Sequence, residues 1–148
     1  MRKIGLLLFI IFITSNPFFS QKNHTRWTYE YDQDMQVLMV YGRLDEGWHT
    51  YSQKTKKNAG PIPVTISINK NKDIKVVSKQ PQEISPSEKV FDKNFESDVY
   101  LFNNIYIGYV KIKVKRPTTI SGIVNFMVCD DTQCLPPIDL PFSIKVVP

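Results

Sequence analysis

The segment YVKIKVK, residues 109–115, alternates from Val110 onward between apolar and basic side chains. Val110, Ile112 and Val114 fall on one side of an extended chain, because successive side chains of a β-strand point to opposite faces. The three lysines between and after them fall on the other side, where water can solvate them. This pattern predicts a half-buried strand with one face on a hydrophobic core and the other in solvent.

The same two-residue period recurs along the chain. The segments PIPVTISIN (61–69) and FSIKVV (142–147) also place apolar residues at every second position. Further strand candidates are residues 26–32, 35–42, 48–53, 74–78, 98–102 and 120–128. No window of ten or more residues carries a convincing helical stripe, and turn residues separate the segments. About eight or nine short strands predict a single all-β domain, an immunoglobulin-like β-sandwich.

Residues 79–98, KQPQEISPSEKVFDKNFESD, interrupt this pattern. The segment contains two prolines, several acidic residues and the aromatic residues Phe91 and Phe95, and we predict a loop without strands. A loop of this length in a compact domain is usually functional or disordered. Aromatic rings in a polar loop need a surface to cover, so the two phenylalanines either plug the end of the sandwich or shield a site.

The amino-terminal residues have the features of a secretory signal. Arg2 and Lys3 precede the apolar run of residues 4–13, and Ser20 is a small residue at a cleavage position. We predict a signal peptide at residues 1–20 and a single domain at residues 21–148. The apolar run is shorter than the roughly 20 residues that span a bilayer, and an uncleaved anchor is the alternative. Export places the cysteines in an oxidising compartment.

The basic residues do not form a dense strip along the sequence. The whole chain has a net charge of +5, with 19 basic and 14 acidic residues. Removal of Arg2 and Lys3 with the signal peptide leaves about +3. Because the lysines alternate with apolar residues, we interpret them as solvated outer faces of strands and predict no binding to nucleic acid.

The chain has only two cysteines, and both lie in MVCDDTQCLPP, residues 127–137. Cys129 ends one predicted strand and Cys134 begins the next extended segment, so the four residues between them form a hairpin loop. Residues facing each other across a hairpin are about 4.5–5.5 Å apart at Cα, a distance that a disulfide can bridge. The pair could be a structural disulfide, half of a metal site or a redox pair.

The size of the loop favours redox use. Closing a six-residue loop stabilises a fold by roughly 2 kcal/mol, against about 4.7 kcal/mol for a 100-residue loop. Strained or exposed disulfides tend to be the labile, catalytic ones. Zinc would need four ligands, and only His24 and His49 supplement the cysteines. We therefore predict no metal, with copper held by the cysteines and His49 as the alternative.

The acidic residues of the hairpin bear on the direction of electron flow. Asp130 and Asp131 directly follow Cys129, and neighbouring negative charges disfavour a thiolate. A stabilised thiolate makes a disulfide oxidising. Since no stabilised thiolate is expected at Cys129, we predict that the cysteine pair acts as a reductant.

The segment FMVCDDTQCLPP (126–137) resembles the amino-terminal periplasmic domain of the thiol–disulfide interchange protein DsbD, which also has a closely spaced cysteine pair followed by a hydrophobic residue and two prolines. EGWHTYSQ (46–53) resembles the aromatic strand of that domain. KVFDKNFESDVYLF (89–102) resembles its cap loop and the next strand, and TTISGIVNFMVC (118–129) the strand leading into the first cysteine. The resemblance covers most of residues 27–147.

The resemblance implies an immunoglobulin-like sandwich with a catalytic pair, Cys129 and Cys134, at one end and no cofactor. Cys134 would form the mixed disulfide with partners, and Cys129 would be the resolving thiol. A flexible cap loop would cover the pair until a partner docks. Phe95 is the better candidate for the shielding ring, and Phe91 is the second.

Further residues are expected to line the pair. They are Trp48, His49, Tyr51, Asp130, Asp131 and Pro136. His49 and Tyr51 share one face of a strand, so either this couple or Trp48 should face the site.

The expected function is that of a periplasmic or otherwise exported protein-disulfide reductase. Thioredoxin-like proteins are the expected partners in transient complexes, with the domain itself a monomer. Because the chain stops after one domain, a separate membrane electron donor is expected. Four residues separate the cysteines here, against five in better-known members of the family, so we expect a different loop geometry and reduction potential. The alternative is a non-catalytic exported binding module with a structural hairpin disulfide.

Overall fold

The computed structural model describes residues 23–78 and 80–148, so the predicted signal peptide at residues 1–20 lies outside the described residues. The described chain forms strands and turns. The strands are β1 (Thr25–Asp32), β2 (Val37–Leu44), β3 (His49–Tyr51), β4 (Thr65–Ile68), β5 (Ile74–Val76), β6 (Gln82–Glu83), β7 (Glu88–Asp92), β8 (Ser97–Asn103), β9 (Ile105–Val114), β10 (Thr118–Phe126), β11 (Val128–Cys129) and β12 (Ile138–Val146). Within these residues no helix has the length and apolarity needed to cross a membrane.

The strands form three antiparallel sheets. The first has the order β1-β2-β9-β5, with β6 also paired to β9. The second has the order β12-β10-β4, and the third has the order β11-β3-β8-β7. The first two sheets pack face to face, as the prediction of an immunoglobulin-like β-sandwich requires.

The main core lies between the first two sheets, and the alternating segments supply it. Val110, Ile112 and Val114 of β9 are buried, whereas Lys111 and Lys113 are exposed, as the two-residue period predicts. Partly buried aromatic rings of β1, the end strand of the first sheet, pack against this core. Trp27 packs against Phe126 with 4.8 Å between ring centroids, and Tyr29 stacks on Phe142 at 4.5 Å.

Each face of the third sheet packs against a different apolar cluster. On one face Phe102 and Val128 join the main core. On the other face Tyr51, Leu101 and Cys129 belong to a second, smaller cluster. We call this second surface the site face, because it contains both cysteines.

The prediction that residues 79–98 contain no strand is wrong. The segment forms β6, β7 and the beginning of β8, and β7 and β8 make a hairpin closed by residues 93–96. Its polar composition has a physical cause, because β7 pairs on one side only and is an edge strand. Solvent-exposed charges are common on such edges. The prolines at 81 and 86 precede β6 and β7 and so interrupt neither strand.

Candidate redox site

The cysteine hairpin is closed by a disulfide and by backbone hydrogen bonds. Cys129 and Cys134 form an antiparallel bridge and are bonded through their sulfur atoms, with 4.0 Å between their Cα atoms. The Asp130 N–H donates to the Gln133 carbonyl at 2.9 Å, and the Leu135 N–H donates to the Val128 carbonyl at 2.9 Å. The predicted four-residue loop is therefore present.

The Asp130 side chain holds this turn together. Its Oδ1 atom accepts hydrogen bonds from the Thr132 N–H, the Thr132 hydroxyl and the Gln133 N–H, each at 2.8 Å. These bonds, those from Thr132 first, lower the pKa of Asp130 to about 2. A negative charge therefore stands beside Cys129 at neutral pH.

The two cysteines differ in their exposure to solvent. Cys129 is fully buried in the second cluster, which also contains Tyr51, Ala59, Val99 and Leu101. Cys134 packs against this cluster but is partly exposed. Of the two residues, Cys134 is the more open to a molecule approaching from solvent.

A buried hydrogen-bond network lies beside Cys129. Antiparallel pairing of β3 and β11 places His49 directly opposite Cys129. The Tyr51 hydroxyl donates to Asp92 Oδ2 at 2.6 Å, and His49 Nε2 lies 3.1 Å from the same hydroxyl. Because the tyrosine proton goes to the carboxylate, His49 Nε2 must carry the proton of the second hydrogen bond and donate it to Tyr51.

Burial sets the protonation states of this network. It raises the pKa of Tyr51 above its usual range, and the Asp92 carboxylate acts in the same direction. Burial lowers the pKa of His49, although the negative charge of Asp92, 3.9 Å away, partly opposes the shift. The network thus has a neutral imidazole and a neutral phenol at neutral pH, both beside the buried Asp92 side chain.

Phe95 covers the second cluster from the β7–β8 turn. Its ring meets Tyr51 edge-on, with centroids 5.9 Å apart and planes at 88°. Gly60 forms the seat of the ring, because a Cβ atom at this position would clash with Phe95 Cδ1. The φ of +108° at Gly60 also disfavours other residues. The Asn94 side-chain amide also donates to the Asp130 carbonyl at 3.1 Å, which joins this turn to the cysteine turn.

Comparison with known proteins places this arrangement in a family. The family model described as "Thiol:disulfide interchange protein DsbD, N-terminal" matches residues 18–144. The chain belongs to the DsbD N-terminal family. A search of curated proteins finds no match.

Two solved structures resemble this DsbD N-terminal domain in fold. One is the reduced form of the DsbD N-terminal domain from Neisseria meningitidis, with 15% identity, a TM-score of 0.58, and coverage of 82% of this chain and 86% of that chain. The other is the complex between the DsbD N-terminal and PilB N-terminal domains from the same organism. It has 16% identity, a TM-score of 0.55, and coverage of 82% and 88%.

The structure gathers most of the predicted site residues. The cysteines, His49, Tyr51, Phe95 and Asp130 lie at one end of the sandwich. Asp131 and Pro136 are exposed on the cysteine hairpin and the segment after it. Of the two alternatives for β3, the His49–Tyr51 couple faces the pair.

Trp48 and Phe91 lie apart from the second cluster. Trp48 packs against the main core and stacks on His24 with 3.8 Å between ring centroids. Phe91, the second cap candidate, is 63% exposed. Its ring therefore does not cover the disulfide in this structure.

Asp92, Asn94 and Gly60 are not among the predicted site residues. Asp92 is one of several acids in a polar segment, and its sequence context does not distinguish a buried carboxylate from a solvated one. Gly60 lies in NAGPIP, where a glycine before proline indicates a turn but not the ring that rests on it. Within residues 23–78 and 80–148, no group of three or more His, Cys, Asp or Glu side chains is arranged to hold a metal ion.

The burial of His49 predicts a pH dependence of stability. Its folded pKa is lower than the unfolded value of about 6.5, so the unfolded state takes up a proton first as the pH falls. The free energy of unfolding should therefore decrease below about pH 6.5, by at most about 1.4 kcal/mol per pH unit, until the folded pKa is passed. Above that window His49 should contribute no pH dependence.

The measurement is urea unfolding of the oxidised protein between about pH 7 and pH 5. His49→Gln should show a smaller loss of stability over this range than the wild type. Asn103→Ser alters the other cross-strand neighbour of His49 without removing a titrating group, and should keep the wild-type slope. Equal slopes for His49→Gln and the wild type would contradict the assignment.

The packing of Phe95 predicts that it slows attack on the disulfide. Phe95→Ala removes an edge-to-face contact worth about 0.5–1.5 kcal/mol, so reduction by dithiothreitol should accelerate by a factor of about two to ten. Stopped-flow measurement of thiol release gives the rate. Gly60→Ala should act in the same direction, because the new methyl group displaces the ring.

Phe91→Ala is the matched control, since this ring is exposed on the strand before the same turn. It should leave the rate unchanged. If Phe95→Ala and the double variant with Phe91→Ala both react at the wild-type rate, the turn does not shield the disulfide.

Proposed function

We propose that this domain is an exported thiol–disulfide interchange protein, which passes electrons from a thioredoxin-like donor to client proteins through Cys129 and Cys134. The main support is the asymmetric disulfide at the end of the sandwich, with Cys129 buried and Cys134 partly exposed. Membership of the DsbD N-terminal family supports the same activity class, that of a protein-disulfide reductase.

In the first half of the cycle the pair is reduced. A thiolate of the donor attacks the Cys134 sulfur, the sulfur–sulfur bond to Cys129 breaks, and Cys129 leaves as a thiolate that takes up a proton. The second donor thiol, as its thiolate, then attacks the donor sulfur of the mixed disulfide and releases Cys134. The donor is oxidised to its disulfide, and the pair gains two electrons and two protons.

In the second half of the cycle the electrons pass to a client. The Cys134 thiolate attacks the client disulfide and forms a mixed disulfide, while one client sulfur leaves as a thiolate. The Cys129 thiolate then attacks Cys134, reforms the intramolecular bond and releases the second client sulfur. The client gains two electrons and two protons, and the scheme needs no cofactor.

Docking of a partner requires access to Cys134 past the β7–β8 turn. An open groove of about 390 Å³ runs beside the cysteine turn, with His49 and Leu101 among its lining residues. The exposed ring of Phe91 borders this groove and offers an apolar contact. A similar solved structure is a complex of two domains, DsbD N-terminal and PilB N-terminal, and we infer that this chain likewise docks a protein partner. Reduction of the Cys129–Cys134 disulfide would depend on a separate membrane electron donor.

Single-cysteine variants test the proposed roles. With reduced thioredoxin as the probe, the wild type should lose its disulfide and gain two free thiols per molecule. Cys134→Ser should abolish transfer, because the remaining thiol is buried. Cys129→Ser, incubated with oxidised thioredoxin, should instead accumulate a mixed disulfide: the Cys134 thiolate attacks the thioredoxin disulfide, one thioredoxin sulfur leaves as a thiolate, and no resolving thiol remains in the hairpin. Mass spectrometry under non-reducing conditions would detect this adduct.

The two variants control for each other, because each leaves one thiol in the same hairpin. If reduced thioredoxin leaves the wild-type disulfide intact, the alternative of a structural hairpin disulfide in a binding module is correct. If Cys134→Ser forms the adducts and Cys129→Ser does not, the two roles are reversed.

The charge of the cysteine turn predicts the direction of transfer. Asp130 and Asp131 disfavour a thiolate at Cys129, so the pair should be reducing rather than strongly oxidising. Equilibration with glutathione gives the reduction potential. Asp131→Asn should shift it to a less negative value, whereas Asp34→Asn, in the turn after β1, should not.

A wild-type potential near the value of about −120 mV that is typical of a strong oxidase would contradict the proposed direction. An unchanged potential in Asp131→Asn would instead show that this carboxylate does not influence the pair.

A further inference from the structure

A band of basic side chains lies at the end of the sandwich opposite the disulfide. Antiparallel pairing of β5 and β9 places Lys75 opposite Lys113. The ladder extends beyond β5, since the Val77 N–H donates to the Lys111 carbonyl and the Lys115 N–H to the Asp73 carbonyl. The turn before β5 and the residue after Lys115 add further cations. We call this band the basic end, and its exposed members are Lys70, Lys72, Lys75, Lys111, Lys113, Lys115 and Arg116.

The acidic residues nearby neutralise only one cation of the basic end and leave its lysines unpaired with them. Asp73 is paired with Arg116, whose Nη2 lies 2.7 Å from Asp73 Oδ1. Asp32 and Asp34 lie in β1 and the turn after it, on the far side of β2 from β9. Lys75 and Lys113 face each other across the ladder, and like charges in this position destabilise a sheet. A bound anionic surface would relieve this repulsion.

Exposed aliphatic side chains are interspersed with these cations. Val77 lies two residues after Lys75 and so shares its face of the extended chain, whereas Val76 shares the face of buried Ile74. Val147 follows β12, and the Gln33 side-chain amide donates to its carbonyl at 3.2 Å. Surfaces that bind single-stranded nucleic acid stack bases on aromatic rings, whereas these exposed side chains are aliphatic. Cations mixed with aliphatic groups are typical of surfaces that bind anionic membranes.

We propose that the basic end docks on the surface of an anionic lipid bilayer. The lysines would contact lipid headgroups, and the aliphatic side chains would enter the boundary region between headgroups and acyl chains. This inference stands on the charge and apolar distribution alone, so it does not depend on the proposed redox cycle.

The location of the basic end gives this docking a consequence for the disulfide. Strand β10 has nine residues, begins beside the basic end and leads through Met127 and Val128 to Cys129. At about 3.3 Å per residue it spans roughly 30 Å. Docking would therefore hold the cysteine hairpin well away from the lipid, where soluble proteins can reach it.

Sedimentation with lipid vesicles tests the proposal. The protein as purified from the cell should bind vesicles of phosphatidylcholine with one-third phosphatidylglycerol, and binding should weaken as salt shortens the Debye length. Vesicles of phosphatidylcholine alone should bind far less. The triple variant Lys75→Gln, Lys111→Gln and Lys113→Gln should bind about 100-fold more weakly, since each lysine near an anionic surface contributes a factor of about five.

A second triple at the other end of the molecule is the matched control. Lys54→Gln, Lys56→Gln and Lys57→Gln remove the same charge from the exposed β3–β4 loop, close to the seat of Phe95. This control should bind vesicles nearly as well as the wild type. Should the first triple fail to fold, Lys70→Gln, Lys72→Gln and Lys115→Gln alter the turn and strand end of the same band and should also weaken binding.

Several outcomes would overturn the proposal. One is no binding of the wild type to anionic vesicles, and another is an equal loss in the β3–β4 control. Tight binding to heparin, together with vesicle binding that is unchanged by Val77→Ser, would identify a soluble polyanion as the partner instead. Loss of vesicle binding in the basic-end triples alone, with Val77→Ser also weakened, would establish the membrane surface.

Discussion

Pairing between β3 and β11 determines where the reactive residues of this protein lie. Cys129 is opposite His49, and Val128 is opposite Thr50. Since side chains alternate along a strand, Cys129 and His49 fall on the site face while Val128 joins the main core. A shift of one residue would turn Cys129 into the main core and Val128 outward. The position of the disulfide beside the His49–Tyr51–Asp92 network depends on this register.

The disulfide contributes little to the architecture around it. It closes a loop of residues 129–134, for which the stabilisation is roughly 2 kcal/mol. The Asp130 carboxylate and the Asp130 and Leu135 N–H groups make hydrogen bonds in the same turn that do not involve the sulfur atoms. The hairpin thus has its own supports, which separates the chemistry of the sulfur–sulfur bond from the stability of the sandwich.

Much of the fold and part of the site were predictable from the residues. The alternating segments are strands, the polar and apolar faces of β9 are as predicted, and the cysteine hairpin is present. Strand β7 escaped prediction because an edge strand pairs on one side only and resembles a polar loop in composition. Asp92 and Gly60 were not predicted as site residues either, since their partners, Tyr51 and Phe95, are distant in the chain.

The alternation of apolar side chains and the spacing of the cysteines are properties of residues that are close together in the sequence. The sequence alone therefore predicts an all-β domain with a closely spaced cysteine pair. Contacts between residues that are far apart in the sequence have another origin. Tyr51 and Asp92 are 41 residues apart, and the lysines of β5 and β9 are separated by a similar stretch. They meet because strands that are distant in the sequence are brought together in the sheets in one register, and local periodicity does not specify which strands pair. The buried network and the basic end therefore arise from folding.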